Sequence, residues 1–183
     1  MRVLIVVASR TGRTRRLADA LAAGVREGGG ETRICEPERT TEEDLCDADA
    51  IALGSGVHMG GIASEMRAFF ERMSPLWLRG TLVGKLGAAF VTAGDGGRGG
   101  AELALLALHA NLAEHGALLV SMPHRLDGFR EGGSHWGPVA WTNPRDGVAG
   151  PTEAHCGAAR AYGRHLAQCA ARWRAGGEGL DAG

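Results

Sequence analysis

The sequence predicts an α/β fold: a doubly wound sheet of five parallel strands with helices on both faces. Three observations predict it. Short apolar runs alternate with longer stretches of helical periodicity along nearly the whole chain. The first run, Val3 to Val7, is apolar at every position, as a strand covered on both faces must be. The loops after the first, third and fourth strands are the glycine-rich ones, and in a parallel sheet those loops share the carboxyl edge, where ligands bind at the switch in strand order.

Each element follows in turn. A helix from about Thr14 carries Leu17, Leu21 and Val25 on one stripe and ends at the glycines 28 to 30. A second strand near Thr32 to Cys35 precedes a short acidic helix, Thr41 to Cys46, and a third strand, Ala50 to Leu53. The next helix presents Ile62, Met66, Phe69, Phe70 and Met73 on one face, with Pro75 expected to stop it. Strand four, Leu86 to Thr92, helix four, Ala101 to His115, and strand five, Leu118 to Ser121, come next. A loop of nearly thirty residues holding Phe129, Trp136 and Trp141 leads to a last helix that opens at Pro151 and Thr152 and runs to about Trp173. Residues 1–174 thus read as one domain and 175–183 as a frayed tail.

Composition narrows the function. The chain has 183 residues, room for one well-buried core, and 44% of them are apolar. A net charge of -1 offers no basic field for nucleic acid and no strongly acidic one for basic partners. No apolar run reaches the roughly 18–20 residues of a membrane span or forms a signal-peptide core, so a cytoplasmic protein is expected. Cys35, Cys46, Cys156 and Cys169 have neither redox-motif nor zinc-ligand spacing and read as reduced thiols, with no metal site.

The first loop carries the clearest chemistry. In Ser9-Arg10-Thr11-Gly12-Arg13-Thr14 the hydroxyls can bond phosphate oxygens, Gly12 allows a close turn, and the helix that follows offers free N–H groups with positive partial charge. The loop lacks both the Gly-Lys-Ser/Thr ending of a triphosphate loop and the dinucleotide fingerprint. Arg10, Arg13, Arg15 and Arg16 read either as a solvated helix start or as help for an anionic ligand.

Ser9-x-Thr11-Gly12-x-Thr14 resembles the phosphate loop of flavodoxins. The remainder is similar to the WrbA-type NAD(P)H:quinone oxidoreductases of the flavodoxin-like class. That resemblance rests on Asp49 to Gly54, Met66 to Phe69, Leu76 to Gly80 with its Trp77, Gly84 to Leu86, Ala93 to Gly97, Glu114 to Gly116 and Gly132 to Gly137, in order over residues 3 to 173. It implies FMN as cofactor, NADH or NADPH as co-substrate, a quinone as acceptor, and a homodimer or homotetramer. It further implies that residues 9 to 14 hold the phosphate, and that Val57, His58 and Met59 line the flavin ring with Thr92, Ala93, Gly94, Asp95, Gly96 and Gly97. His115 would border the flavin edge and Trp77 the quinone pocket, with no side chain assigned as catalytic acid or base. The chain departs from the family at Gly56 to Gly60, usually Pro-Thr-Arg-Phe-Gly, and at Thr11, often Tyr. The alternative is a flavodoxin-like electron carrier acting with partner proteins; such carriers tend to be strongly acidic, and this chain is not. Helix four, through Leu103, Leu105, Leu106, Leu108 and Leu112, is apolar on more than one face; the excess is covered either by a second copy or by the long loop.

Overall fold

Alternation along β1 (Arg2–Ala8) divides the core in two. Val3, Ile5 and Val7 face one apolar layer, and Leu4, Val6 and Ala8 face the other, because successive side chains of a strand point to opposite faces. A computed structural model of the chain describes residues 1–94, 100–142 and 150–176. The strands β2 (Glu31–Cys35), β3 (Ala50–Gly56), β4 (Leu86–Gly94) and β5 (Leu118–Leu119) join β1 in the order β2-β1-β3-β4-β5, all neighbours parallel. Strand order reverses between β1 and β3, which puts the switch point beside the loops after those two strands.

One face is covered by α1 (Arg13–Glu27) and the long last helix α7 (Glu153–Gly176). The other is covered by α3 (Ser64–Arg72), α4 (Ser74–Leu78) and α5 (Gly100–Glu114), with Leu45 of α2 (Glu42–Cys46) at its border. α2 starts at a capping box, in which the Thr41 hydroxyl accepts from the Asp44 N–H and the Asp44 carboxylate from the Thr41 N–H. α1 and α7 lie close enough for backbone contact. A Cβ at Gly24 would meet the Arg160 carbonyl oxygen at 1.9 Å, and one at Gly163 the Leu21 oxygen at 2.1 Å.

Three expectations change. Pro75 does not end the helical region; it sits in the first turn of α4, where its missing N–H costs nothing. The long loop is not structureless: it contains α6 (Phe129–Gly132) and a sixth strand, β6 (Val139–Thr142). β6 pairs with Val91 to Gly94 of β4, whereas β5 pairs with Leu86 and Gly87, so the two share one edge of β4 at different heights. The fifth column of the sheet is thus split by residues 120–138. α7 also runs through Ala175 and Gly176, the start of the expected tail, and 177–183 lie outside the described residues.

Four histidines are pushed toward lower pKa by burial: His109, His115, His155 and His165. Each binds a proton more readily unfolded than folded, so its contribution to stability is fully present above about 6.5 and is lost as pH falls through the folded value. The urea midpoint is expected to drop between pH 7.5 and pH 5. A flat profile over that range would mean these rings are hydrated in solution.

Candidate functional site

The Gly12 backbone sits in the left-handed region at φ 79°, which a side chain would strain, and it forms the N-cap of α1. Gly12 offers no side-chain cap. The Arg15 N–H is held by the Ser9 hydroxyl at 3.0 Å, and the Arg16 N–H by the Gly12 carbonyl at 3.0 Å. No acidic residue lies in the first turn of α1, which instead holds Arg13, Arg15 and Arg16. Cations at a helix N-terminus oppose its dipole, by about 0.3–1 kcal/mol each when exposed, and a bound anion relieves that opposition.

The arginine run divides by partner. Arg10 forks onto Glu65 at 2.8 and 2.9 Å and also donates to the Ser64 hydroxyl at 2.9 Å, tying the first loop to the start of α3. The Arg10 guanidinium holds the Glu65 carboxyl down to about 2, so this link survives mild acid. Arg15 pairs with Asp19 one turn on, and Arg16 with Glu153 of α7. Arg13 lines the cleft described next.

Three segments converge on that cleft at the carboxyl edge of the sheet. The first supplies Arg10, Thr11, Arg13 and Thr14, the second Gly56, Val57 and His58, and the third Thr92, Ala93 and Gly94. They are bound to one another. The Thr14 and Thr92 hydroxyls, 3% and 6% exposed, lie 2.8 Å apart, and the Val57 N–H donates to the Thr92 carbonyl at 2.8 Å. Ser55, fully buried, closes the second loop: its hydroxyl donates to the Gly56 carbonyl at 2.8 Å and accepts from the Ala63 N–H at 2.9 Å. The volume enclosed is about 210 Å³ and is open to solvent.

Of the residues singled out in the sequence, Arg10, Thr11, Arg13, Thr14, Val57, His58, Thr92, Ala93 and Gly94 line this cleft; Ser9 and Gly12 do not line it but shape the turn into α1. Met59 does not line the cleft. It stands, fully exposed and at φ 48°, at the tip of a hairpin closed by paired bonds between His58 and Gly61. Asp95, Gly96 and Gly97 lie outside the described residues. His115 and Trp77 are not at the cleft within one chain. His115, buried with no hydrogen-bond partner for Nδ1 among the described residues, sits beyond the far end of α5 among Leu45, Ile51 and Leu82. Trp77, half exposed, is on α4, from which the chain turns directly into the start of β4 at the amino edge.

Sequence reasoning missed Ser55 and Thr142. Thr142 reaches the cleft from β6, 3% exposed, its hydroxyl donating to the Ala93 carbonyl at 3.3 Å. The available signal was the short run Val139 to Thr142 directly after Gly137 and Pro138, a turn leading into strand formers.

These residues suit a phosphate monoester. The donors are neutral hydroxyls and a helix N-terminus without acidic residues, the backbone at Gly12 and Gly94 is open, and the hydroxyls come from two separate elements, α1 and β4. No group of three or more His, Cys, Asp or Glu side chains suited to a metal ion occurs among the described residues.

Known proteins resemble this chain in sequence and in fold. Residues 4–92 match the model of the flavodoxin domain. The chain is 33% identical to an NAD(P)H dehydrogenase (quinone) of Sinorhizobium fredii, covering 93% of this chain and 98% of that protein. It is also 33% identical to one of Geotalea uraniireducens, over 94% and 98%. Among solved structures, a flavodoxin, WrbA-like protein from Agrobacterium tumefaciens superposes with a TM-score of 0.75 at 23% identity, over 93% of this chain and 98% of that one. Oxidised Flavodoxin 1 from Bacillus cereus superposes at 0.68 and 19%, over 92% and 98%. With a third of its residues shared over nearly the whole length of both chains, this protein belongs to the family of NAD(P)H dehydrogenases (quinone) built on the flavodoxin fold.

Proposed function

We propose that the chain is an FMN-dependent oxidoreductase that takes electrons from NADH or NADPH and delivers them to a quinone. The convergence of these segments carries this reading, above all the Thr14–Thr92 hydroxyl pair, which joins the first turn of α1 to the carboxyl end of β4. In this reading Ser9 to Thr14 receive the phosphate, and Val57 and His58 with Thr92 to Gly94 border the ring. Bound FMN supplies a centre that accepts two electrons from one substrate and gives them to the next. The chain's own work is binding and orientation: hydroxyls and the α1 N-terminus hold the anion, and Arg10 with Glu65 fixes the loop.

His115 and Trp77 enter this reading only as contributions from a second copy, because within one chain they lie away from the cleft. A homodimer or homotetramer is supported by α5, whose outward face leaves Leu103 62% and Leu106 40% exposed. Among the described residues no helix is long and apolar enough to cross a membrane, and we assign the protein to the cytoplasm.

Purified protein is expected to be yellow, with one FMN and no FAD per chain, and oligomeric by light scattering at micromolar concentration. Each nicotinamide is then mixed with it under anaerobic conditions, followed by a quinone. One cleft serving two substrates in turn requires parallel double-reciprocal lines. Flavin left oxidised by both nicotinamides, in a folded yellow protein, would identify an electron carrier needing a partner reductase instead.

A further inference from the structure

His109 is a polar residue in an apolar place. It sits on α5 among Leu105, Leu108 and Leu112, only 4% exposed, where leucine would pack without cost to any polar atom. Its Nδ1 has no hydrogen-bond partner among the described residues, and burial pushes its pKa down, so the ring is neutral at pH 7. A neutral ring whose Nε2 lies 2.6 Å from the Trp136 carbonyl oxygen must carry its proton on Nε2 and donate it there.

That carbonyl belongs to the turn that starts β6. The Ser134 and Gly137 backbones exchange bonds at 3.1 and 3.0 Å, and the Ser134 hydroxyl donates to the Gly137 carbonyl at 2.9 Å. Gly137 packs so closely on β4 that a Cβ would meet the Ala89 oxygen at 2.1 Å. The next residue, Pro138, accepts from the Val91 N–H at 3.0 Å and opens the ladder that ends at Thr142. Among the described residues, Thr142 is the one that β6 adds to the cleft.

We propose that His109 is a positioning residue for the cofactor cleft: by holding the Trp136 carbonyl it fixes the turn that seats β6 on β4 and brings Thr142 to the carboxyl edge. This rests on the reading of the cleft as the FMN site. A turn that opens part of the time lowers apparent affinity by the fraction of time the cleft is complete.

The test compares His109→Leu, which removes the donor, with His109→Gln, whose amide reaches as far as Nε2. His109→Leu is expected to weaken FMN binding about tenfold, or about 1.4 kcal/mol, by fluorescence titration. In the FMN-free protein it should speed hydrogen exchange across residues 136–142, and His109→Gln should restore both. If His109→Leu does not fold, His109→Asn, whose amide stops short of the carbonyl, takes its place. Unchanged affinity and exchange in the donor-free variant would overturn the proposal, as would equal losses in the Gln variant. Wild-type protein that binds no FMN would sink the cleft reading instead, and the exchange comparison would still decide the clamp.

Discussion

Thr11→Glu is expected to abolish FMN retention while leaving the fold as stable as before or slightly more so. Thr11 is exposed and stands just before the N-cap of α1, so a carboxylate there enters no core. Beside a helix N-terminus crowded with Arg13, Arg15 and Arg16 it is favoured by about 0.3–1 kcal/mol. Toward a phosphate in the same loop its effect has the opposite sign. Two like charges about 4 Å apart at a protein surface repel by about 4 kcal/mol, roughly a thousandfold in Kd. Thr14 is the poorer site for this test, because it is buried against Thr92 and a carboxylate there would unfold the loop as well as repel the ligand. Fluorescence titration with FMN and a urea melt of the ligand-free protein read the two effects separately. Wild-type FMN affinity in the variant would place the phosphate somewhere other than residues 9 to 14.

Gly24→Ala should cost about 3 kcal/mol or more, above the usual range for one added methyl group, because no side chain can move to make room. The new Cβ would lie 1.9 Å from the Arg160 carbonyl oxygen and 2.7 Å from its carbon, so α1 and α7 must separate. Separation also breaks the pairing of Glu27 with Arg160 and Arg164 and loosens Leu17, Leu21 and Val25 from their layer. For a chain of this length the melting temperature should fall by about 6–12 °C. Gly157→Ala is the control, on α7 but exposed and with nothing within 4 Å of the new atom. It should stabilise by about 0.5–1 kcal/mol through helix propensity alone. A melting temperature for Gly24→Ala within a degree of wild type would mean the helices are packed more loosely than the structure has them.

The sequence by itself determined the parts governed by local rules. β1 shows as an unbroken apolar run because both its faces are covered, and α1 shows as a stripe at Leu17, Leu21 and Val25 because only one of its faces is. The turn from Ser9 to Thr14 stood out as a candidate phosphate site because a hydroxyl-rich turn between a buried strand and a helix start has its chemistry in consecutive residues. Only the tertiary structure decided what depends on residues far apart in the chain. Thr142 is 50 residues from Thr92, and β6 is too short to reveal by periodicity which strand it pairs with. Ser55 looks like any small residue at a strand end until its hydroxyl is seen holding Ala63. Arg10 and Arg16 form one basic run in sequence, yet their charges are taken up by Glu65 and Glu153, which the fold brings in from other elements. His115 and Trp77 were singled out by the family resemblance, but the direction in which α5 and α4 cross the sheet carries them away from the cleft. Hydrophobic periodicity records which face of an element is covered; it does not record what covers it, and that is the information a cleft built from four separate segments requires.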